Sequence, residues 1–371
     1  MARVSLEQLE KTKGRISEAV VDPNQWPEVM QAICSAIGTE GAVLLQSDIR
    51  TSDVPKTPSL SELFRDYFEN NFHLDDIRAI RGVPLLLSGR PVIRDQDIFR
   101  YENEMARNHM YAALGRHGFR WWSAVGFRSG SAHWALSLQR TIKQGLFEEE
   151  ETKLLASLSN SLTEAATLSR AVGRRTLLGS LNALNMIDEA ALSLTKDGAV
   201  VDINENATRL FDDEFCVRNR RLYVRDSGAA RALEACLSEM NSTGELRLRP
   251  KNRTGNVIVA RRRVKRPLLI TVLPVDGAAR TPFLDARFIV TLRDLQIPKQ
   301  PTIALVAETF GLTPAEAKVA TMVATGASPE EIADELKVSR ETVRKQIKTV
   351  FGKTQTRRQS ELAVLISRMR W

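Results

Sequence analysis

Three helix-start signals fall within the last sixty residues, Leu312 to Trp371, and leave that stretch few ways to fold. In Leu312-Thr313-Pro314-Ala315-Glu316 a capping threonine precedes a proline suited to the first helical position. Glu316, three residues after the cap, can reach back to close a capping box. Ser328-Pro329-Glu330-Glu331 repeats the grammar after the stop signal Gly326, and Ile332, Ala333 and Leu336 give this second helix one narrow apolar face. Only Lys337 and Val338 separate it from Ser339, the expected cap of a third helix. So short a connection makes two helices cross rather than stack, which is a helix-turn-helix. A fourth helix is predicted with Thr356 as its cap and Gln359 at its third position, carrying Leu362, Leu365, Ile366 and Met369.

The third helix holds the charge. Val343, Ile347, Val350 and Phe351 recur at helical spacing and bind it to its neighbours, so the opposite face turns outward. Between Ser339 and Gln359 seven cations (Arg340, Arg344, Lys345, Lys348, Lys353, Arg357 and Arg358) stand against one anion, Glu341. Arg344, Lys345 and Lys348 project together from the middle of the helix, where long donors reach base edges. Ser339, Arg340, Thr342, Lys353, Arg357 and Arg358 are placed for phosphates. A basic run alone is usually a solvated face. Here it coincides with the start signals and the two-residue turn.

At these residues the chain resembles the LuxR-type family of transcription-factor DNA-binding domains. The resemblance rests on Leu312-Thr313 with Glu316, Ala324 with Gly326, Glu331-Ile332-Ala333, Leu336, Val338-Ser339, Thr342-Val343-Arg344 and Phe351 with Lys353 and Arg358. It implies that the positions of Arg344, Lys345 and Lys348 face bases. Arg344 stands where the family usually has Lys, Gln346 where it usually has His, and Trp371 ends the chain at once. These departures bear on sequence preference rather than on fold.

The chain has 371 residues, enough for two or three domains, and a formal net charge of +8. Much of that excess lies in the third helix, which points to nucleic acid rather than to a generally cationic surface. No apolar run approaches the roughly 18 residues of a membrane helix, and Met1-Ala2-Arg3-Val4 lacks a signal-peptide core, so the expected location is cytoplasmic and no membrane is expected as a partner. Cys34, Cys216 and Cys236 are scattered, which fits small apolar residues in a reducing compartment. The four histidines show no ligand spacing, so neither a metal nor another cofactor is expected.

Upstream, residues 1–145 read as a mixed α/β domain. Trp26, Val29, Met30, Ile33 and Ile37 make a helical stripe before the strand Ala42-Val43-Leu44-Leu45. An aromatic helix over 63–72, a short strand after Gly89, and a helix over 102–114 lead into two strands, 121–128 and 132–139, joined by Ser129-Gly130-Ser131. This order, with Gly118-Phe119-Arg120-Trp121-Trp122, resembles a GAF-type sensory domain. The resemblance implies a small-ligand pocket that Phe64, Tyr67, Phe68, Tyr111, Phe119, Trp121 and Trp122 could line, plain core packing being the alternative.

Residues 146–184 read as a connecting helix with an acidic start. Leu155, Leu158, Leu162 and Ala165 keep the three-four spacing of a seam between two helices, which predicts a homodimer; a helix folded back on its own domain is the alternative. Residues 185–298 carry the hairpin signal Asp197-Gly198, a helix start at Asn204-Glu205-Asn206-Ala207, a helix over 229–240 and strands near Leu246 and over 257–264, 268–273 and 288–292. This order is similar to a PAS domain. Arg261 to Arg266 would alternate faces on a strand and form a solvated edge.

No phosphate-cradling glycine loop, nucleophile elbow or catalytic triad is nominated by spacing, so no enzyme is expected. Asp75-Asp76 and Asp212-Asp213 are adjacent, so each pair should point apart. The expected protein is an α+β multidomain regulator, with GAF-like and PAS-like domains joined by a long helix and followed by an all-α helix-turn-helix domain over residues 305–371. Its expected partners are double-stranded DNA, a second copy of the chain, a small-molecule ligand and RNA polymerase. The rival reading is a protein-interaction adaptor that touches nucleic acid without sequence preference.

Overall fold

A computed structural model describes residues 5–47, 54–242, 256–295 and 301–369. The chain divides into two compact units, one from residues 1–262 with 268–293 and one from 263–267 with 294–371.

The first unit opens with helices α1 (Leu6–Arg15), α2 (Glu18–Val21) and α3 (Trp26–Ile37), followed by β1 (Gly41–Gln46). The expected stripe of α3 is buried along its whole length. Next come α4 (Ser61–Glu69), α5 (Ile77–Leu87), β2 (Val92–Arg94), α6 (Asp95–Ile98), α7 (Glu102–Arg107) and α8 (His109–Arg116). The helix expected over 102–114 is therefore two. Asn108 breaks it by capping α8 with its own side chain, whose oxygen accepts from the N–H groups of Met110 and Tyr111. The strands β3 (Phe119–Ser129) and β4 (Ala132–Thr141) form a hairpin at Gly130, whose φ of +62° suits glycine. Among the described residues this sheet is four-stranded and antiparallel, in the order β1-β4-β3-β2.

Both faces of the sheet are covered. Alternation along β3 and β4 sends Val125, Phe127, Trp134, Leu136 and Leu138 into a core with α1 to α3. Trp122 and Ala124 face a second core with Phe64, Tyr67 and Tyr111.

The helix α9 (Glu149–Met186) runs 38 residues, about 57 Å at 1.5 Å per residue. It starts with a capping box between Glu148 and Glu151. Its apolar stripe does not wait for a second copy: Leu155, Leu158 and Leu162 are at most 1% exposed, Ala165 is 8% exposed, and all four sit in the core that α9 shares with β3 and α2. The seam expected between two helices is thus corrected. A three-four spacing shows that one face is buried, and here the chain's own sheet buries it.

The second half of α9 serves another sheet. There follow β5 (Ala190–Thr195), β6 (Val200–Ile203), α10 (Glu205–Arg209), β7 (Phe215–Arg218), β8 (Arg221–Val224), α11 (Ser227–Ser242), β9 (Val257–Ala260), β10 (Leu268–Pro274) and β11 (Ala286–Asp294). Among the described residues the order is β6-β5-β11-β10-β9, with β7 and β8 as a separate hairpin. Gly198 makes the expected β5–β6 turn at φ +82°. Asn204 caps α10 as expected and also ties it to α9, since its Oδ1 accepts from Ala207 N–H and Ala191 N–H while its Nδ2 donates to the carbonyls of Leu181 and Glu189. The strand expected near Leu246 lies outside the described residues. The strand expected through Arg261 to Arg266 stops at Ala260; within that run the Arg262 side chain, 3% exposed, pairs with Asp212 at 3.9 Å, while Arg261 and residues 263–266 are exposed as expected of a solvated run.

Within this unit α9 joins the two sheets. Leu177 packs with Val275, Ala279, Leu284 and Ala286. Gly173 lets the turn Gly277–Arg280 come close, for a Cβ there would lie 2.7 Å from the Ala278 carbonyl oxygen. Ser169 Oγ meets Thr281 Oγ1 at 2.7 Å, and Phe283 inserts into the core of the first sheet.

The second unit is helical: α12 (Ile303–Phe310), α13 (Pro314–Ala324), α14 (Pro329–Leu336), α15 (Arg340–Thr354) and α16 (Gln359–Ser367). Val306, Ala317, Val319, Ala320, Val323, Ile332, Val343, Ile347, Val350, Leu362 and Ile366 make its core. The helix α12 was not expected.

Candidate nucleic-acid interface

The local signals at the helix starts work as their chemistry requires. Thr313 Oγ1 accepts from Glu316 N–H at 3.3 Å, and a Glu316 carboxylate oxygen accepts from Thr313 N–H at 2.8 Å. Ser328 and Glu331 repeat this at 3.2 and 2.7 Å. After α14, Lys337 takes the left-handed conformation at φ +54°, and Val338 N–H donates to the Ala333 carbonyl, closing the helix end before Ser339 starts α15. Ser339 Oγ accepts from Thr342 N–H at 3.1 Å and meets Thr342 Oγ1 at 2.8 Å. The fourth start differs from expectation. Arg358 occupies the cap position without a side-chain bond, Glu361 accepts from Arg357 N–H at 2.7 Å, and Thr356 Oγ1 meets Thr354 Oγ1 instead of capping.

Val343, Ile347, Val350 and Thr354 are buried, which fixes the rotation of α15. At about 100° per residue, Arg344, Lys348 and Lys345 then span one arc pointing away from the core, and all three are exposed. Arg344 and Lys348 have no ion pair among the described residues. Lys345 lies 3.9 Å from Glu341 one turn earlier, with both side chains about four-fifths exposed, a pairing that water largely screens. Glu331 is engaged in its capping box, and among the described residues no acid of α14 forms an ion pair with Arg344 or Lys345. Arg340 is drawn toward Glu330 at 3.5 Å.

Lys353 is placed differently from the other cations. Its Nζ donates to Glu316 at 2.7 Å, across from α15 to α13, where the Glu316 side chain is 14% exposed. Chiefly through that bond the Glu316 carboxyl is held below its usual range. Arg357 and Arg358 are exposed at the turn into α16. Arg344, Lys345 and Lys348 thus form one set, while the residues expected at phosphates divide between the start of α15 and the turn after it.

In the first unit the seven aromatics expected at a ligand pocket mostly fill core. Phe64, Tyr67, Tyr111, Phe119 and Trp122 are 7% exposed or less, and Phe68 and Trp121 are partly buried. What occupies the space among them is a buried ion pair that the sequence reading missed. Arg78 donates from Nε and Nη2 to Asp76 at 3.2 Å, and its guanidinium lies 6.0 and 5.8 Å from the Tyr111 and Trp122 ring centres. Asp76 also accepts from Tyr67 Oη at 2.7 Å. Burial pushes the Asp76 carboxyl up, but the Arg78 charge and these bonds outweigh it and hold the carboxyl below its usual range. Beside it, Asp95 accepts from the Tyr111 hydroxyl and from Trp122 N–H. Burial, only partly offset by those donors, raises Asp95 to about 7.

The only sequence sign of this network was Asp75-Asp76-Ile77-Arg78. The two carboxylates do point apart, Asp76 inward and Asp75 outward to His109 at 3.4 Å. Asp212 and Asp213 diverge likewise, one to Arg262 and the other to Arg225. Trp122 is the one of the seven aromatics that lines the cavity of about 50 Å³ between α5 and the sheet.

Comparison with known proteins agrees with the helical unit. Residues 311–366 match the family described as bacterial regulatory proteins, luxR family. This stretch is a LuxR-type helix-turn-helix domain, the DNA-binding domain of transcription regulators. No curated protein matches the chain. Among solved structures, the phage VqmA–DPO complex is 15% identical over 52% of this chain and 88% of that one, with a TM-score of 0.19. A Vibrio cholerae VqmA–ligand–DNA complex is 14% identical over 52% and 87%, with a TM-score of 0.20. The E. coli DhaR(N)–DhaL complex is 11% identical over 79% and 92%, with a TM-score of 0.24. Scores this low carry nothing about ligand or assembly. No helix among the described residues is long and apolar enough to cross a membrane.

Proposed function

We propose that the chain is a signal-responsive, homodimeric transcription regulator that reads operator DNA with Arg344, Lys345 and Lys348. One observation carries this reading: within a LuxR-type domain, α15 presents these cations on one exposed arc, and Arg344 and Lys348 have no ion pair among the described residues. Free long donors on a groove-sized helix are what base reading needs. Ser339, Arg340 and Thr342 at the start of α15, with Arg357 and Arg358 after it, set the register on phosphates. A second copy supplies the second half-site, and it joins through a surface other than the stripe of Leu155, Leu158 and Leu162, which the core already uses. RNA polymerase is the proposed downstream partner.

Genome-wide mapping of bound DNA followed by competition binding tests the reading. A shared half-site pattern, tight binding to it and weak binding to scrambled duplex are expected. Equal binding to both duplexes with a steep salt dependence would establish the adaptor instead. Light scattering of the chain with and without its operator reads the dimer directly.

A further inference from the structure

We propose that the cavity between α5 and the first sheet binds a small neutral amphiphile by one hydrogen-bond acceptor, which Arg78 receives. This gives the proposed signal response a site and a chemical class.

Arg78 borders the cavity and is 7% exposed. Its Nε and Nη2 are spent on Asp76, but its Nη1 is buried without a hydrogen-bond partner among the described residues. A buried guanidinium donor left open is costly, and native structures rarely keep one without a use. Nearby polar groups are already occupied: Asp76 accepts from Tyr67, from Arg78 N–H and from the guanidinium, and Ser137 Oγ accepts from Trp122 Nε1 at 2.9 Å. The other walls are largely apolar, including Val83, Leu86, Ile93 and Ala124. The remaining polar residues that line it, Gln46, Ser47 and His133, lie together where β1 meets β4, and beside Arg78 a water would find one strong partner where it needs two to four. A molecule with one acceptor and an apolar body matches the walls better.

Charge narrows the class. Asp76 already balances Arg78, so an anionic ligand would bring an uncompensated charge into a buried site, and a cation would meet the guanidinium. A ketone, amide or ester carbonyl satisfies Nη1 without either penalty. The cavity of about 50 Å³ is small, but one wall can yield. The helix α5 carries Pro84 in its interior, Val83 and Leu86 are half-buried, and Leu87 is 53% exposed. A proline inside a helix removes one backbone bond, so that wall can move outward without opening the core on the far side of the sheet.

The test uses the full chain with isotope-labelled methyl groups and two probes of one shape, cyclopentanone and cyclopentane. Cyclopentanone should shift the Ile93 and Leu86 methyl signals saturably, and cyclopentane should bind about ten- to a hundredfold more weakly, the range for a hydrogen bond to a charged donor. In the paired variant Asp76→Asn with Arg78→Met the two probes should bind alike. Ala79→Leu, a filling substitution on a half-buried cavity residue, should abolish both, which keeps the proposal exposed if the paired variant does not fold. Absence of saturable shifts in the native chain, equal affinity for the two probes, or unchanged binding in Ala79→Leu would each overturn it. No DNA enters the readout, so failure here is separate from failure of the operator reading.

Discussion

Phe283, between β10 and β11, stands edge-on to Trp134 of β4, with ring centres 5.0 Å apart and planes at 77°. The same ring meets Trp26 at 5.4 Å and Phe127 at 6.0 Å, also edge-on. A side chain from the second sheet's sequence thus completes the core of the first, next to the Ser169–Thr281 bond. Phe283→Ala should cost about 3–5 kcal/mol. Because the ring joins the two sheets, calorimetry of the full chain should also show their unfolding begin to separate. A transition at the native midpoint would show that the ring holds nothing together.

Arg140 is 2% exposed and donates twice to Glu151 at 2.9 Å, and also to the carbonyls of Ile37, Gly38 and Leu146. Its guanidinium lies 4.1 Å from the centre of the Phe147 ring. These bonds pin the end of α3 and the loop before α9 to the sheet. Arg140→Met leaves Glu151 and three carbonyls short of a donor, so denaturant titration should show a loss of about 3–5 kcal/mol. Arg140→Lys should recover only part of it, since an ammonium cannot reproduce the planar fork. Full recovery with Lys would mean that charge alone matters.

Asp95 gives a pH dependence of a definite sign. Its carboxyl is raised from 3.8 to about 7 in the fold, so between those values the folded chain keeps a proton that the unfolded chain has lost. Stability from this group is therefore full below about pH 4, falls by up to about 1.4 kcal/mol per pH unit toward pH 7, and is flat above it. Asp76, held low, contributes the opposite way and loses its share only in acid. Measured from unfolding curves, the stability of the native chain relative to Asp95→Asn should therefore fall steadily as pH rises from about 4 to 7. Parallel curves would show that Asp95 ionises freely in the fold.

Legibility from sequence followed the range of the forces involved. The boxes at Thr313 and Ser328, the Gly198 turn and the Asn204 cap are made by residues within four positions of each other, so a short window contained all their chemistry. The stripe of α9 announced a buried face but not its partner, because that partner lies at β3 and α2, in a core closed by Phe283 more than a hundred residues away. Arg78 looked like any surface cation, since only the folded sheet surrounds it with Tyr111 and Trp122. Thr356 failed as a cap because Thr354 took its hydroxyl and Glu361 took the neighbouring N–H.

The final prediction separates the cations of α15. Arg344 is exposed with no ion pair among the described residues, whereas Lys353 gives its ammonium to Glu316 of α13 at 2.7 Å. Replacing Arg344 with Ala should cost about 1–3 kcal/mol on the operator and relax preference at one base pair. Lys353 was placed at a phosphate by its position in sequence, and a free lysine there would take about one unit from the salt slope when removed. Paired with Glu316, its charge is already largely balanced. Lys353→Ala should therefore reduce the slope by clearly less than one unit, while it loosens the packing of α15 on α13 and lowers the unfolding midpoint of the domain. Glu316→Gln should release the ammonium and steepen the slope. If Lys353→Ala instead removes a full unit and leaves stability untouched, the lysine serves DNA and its bond to Glu316 is incidental.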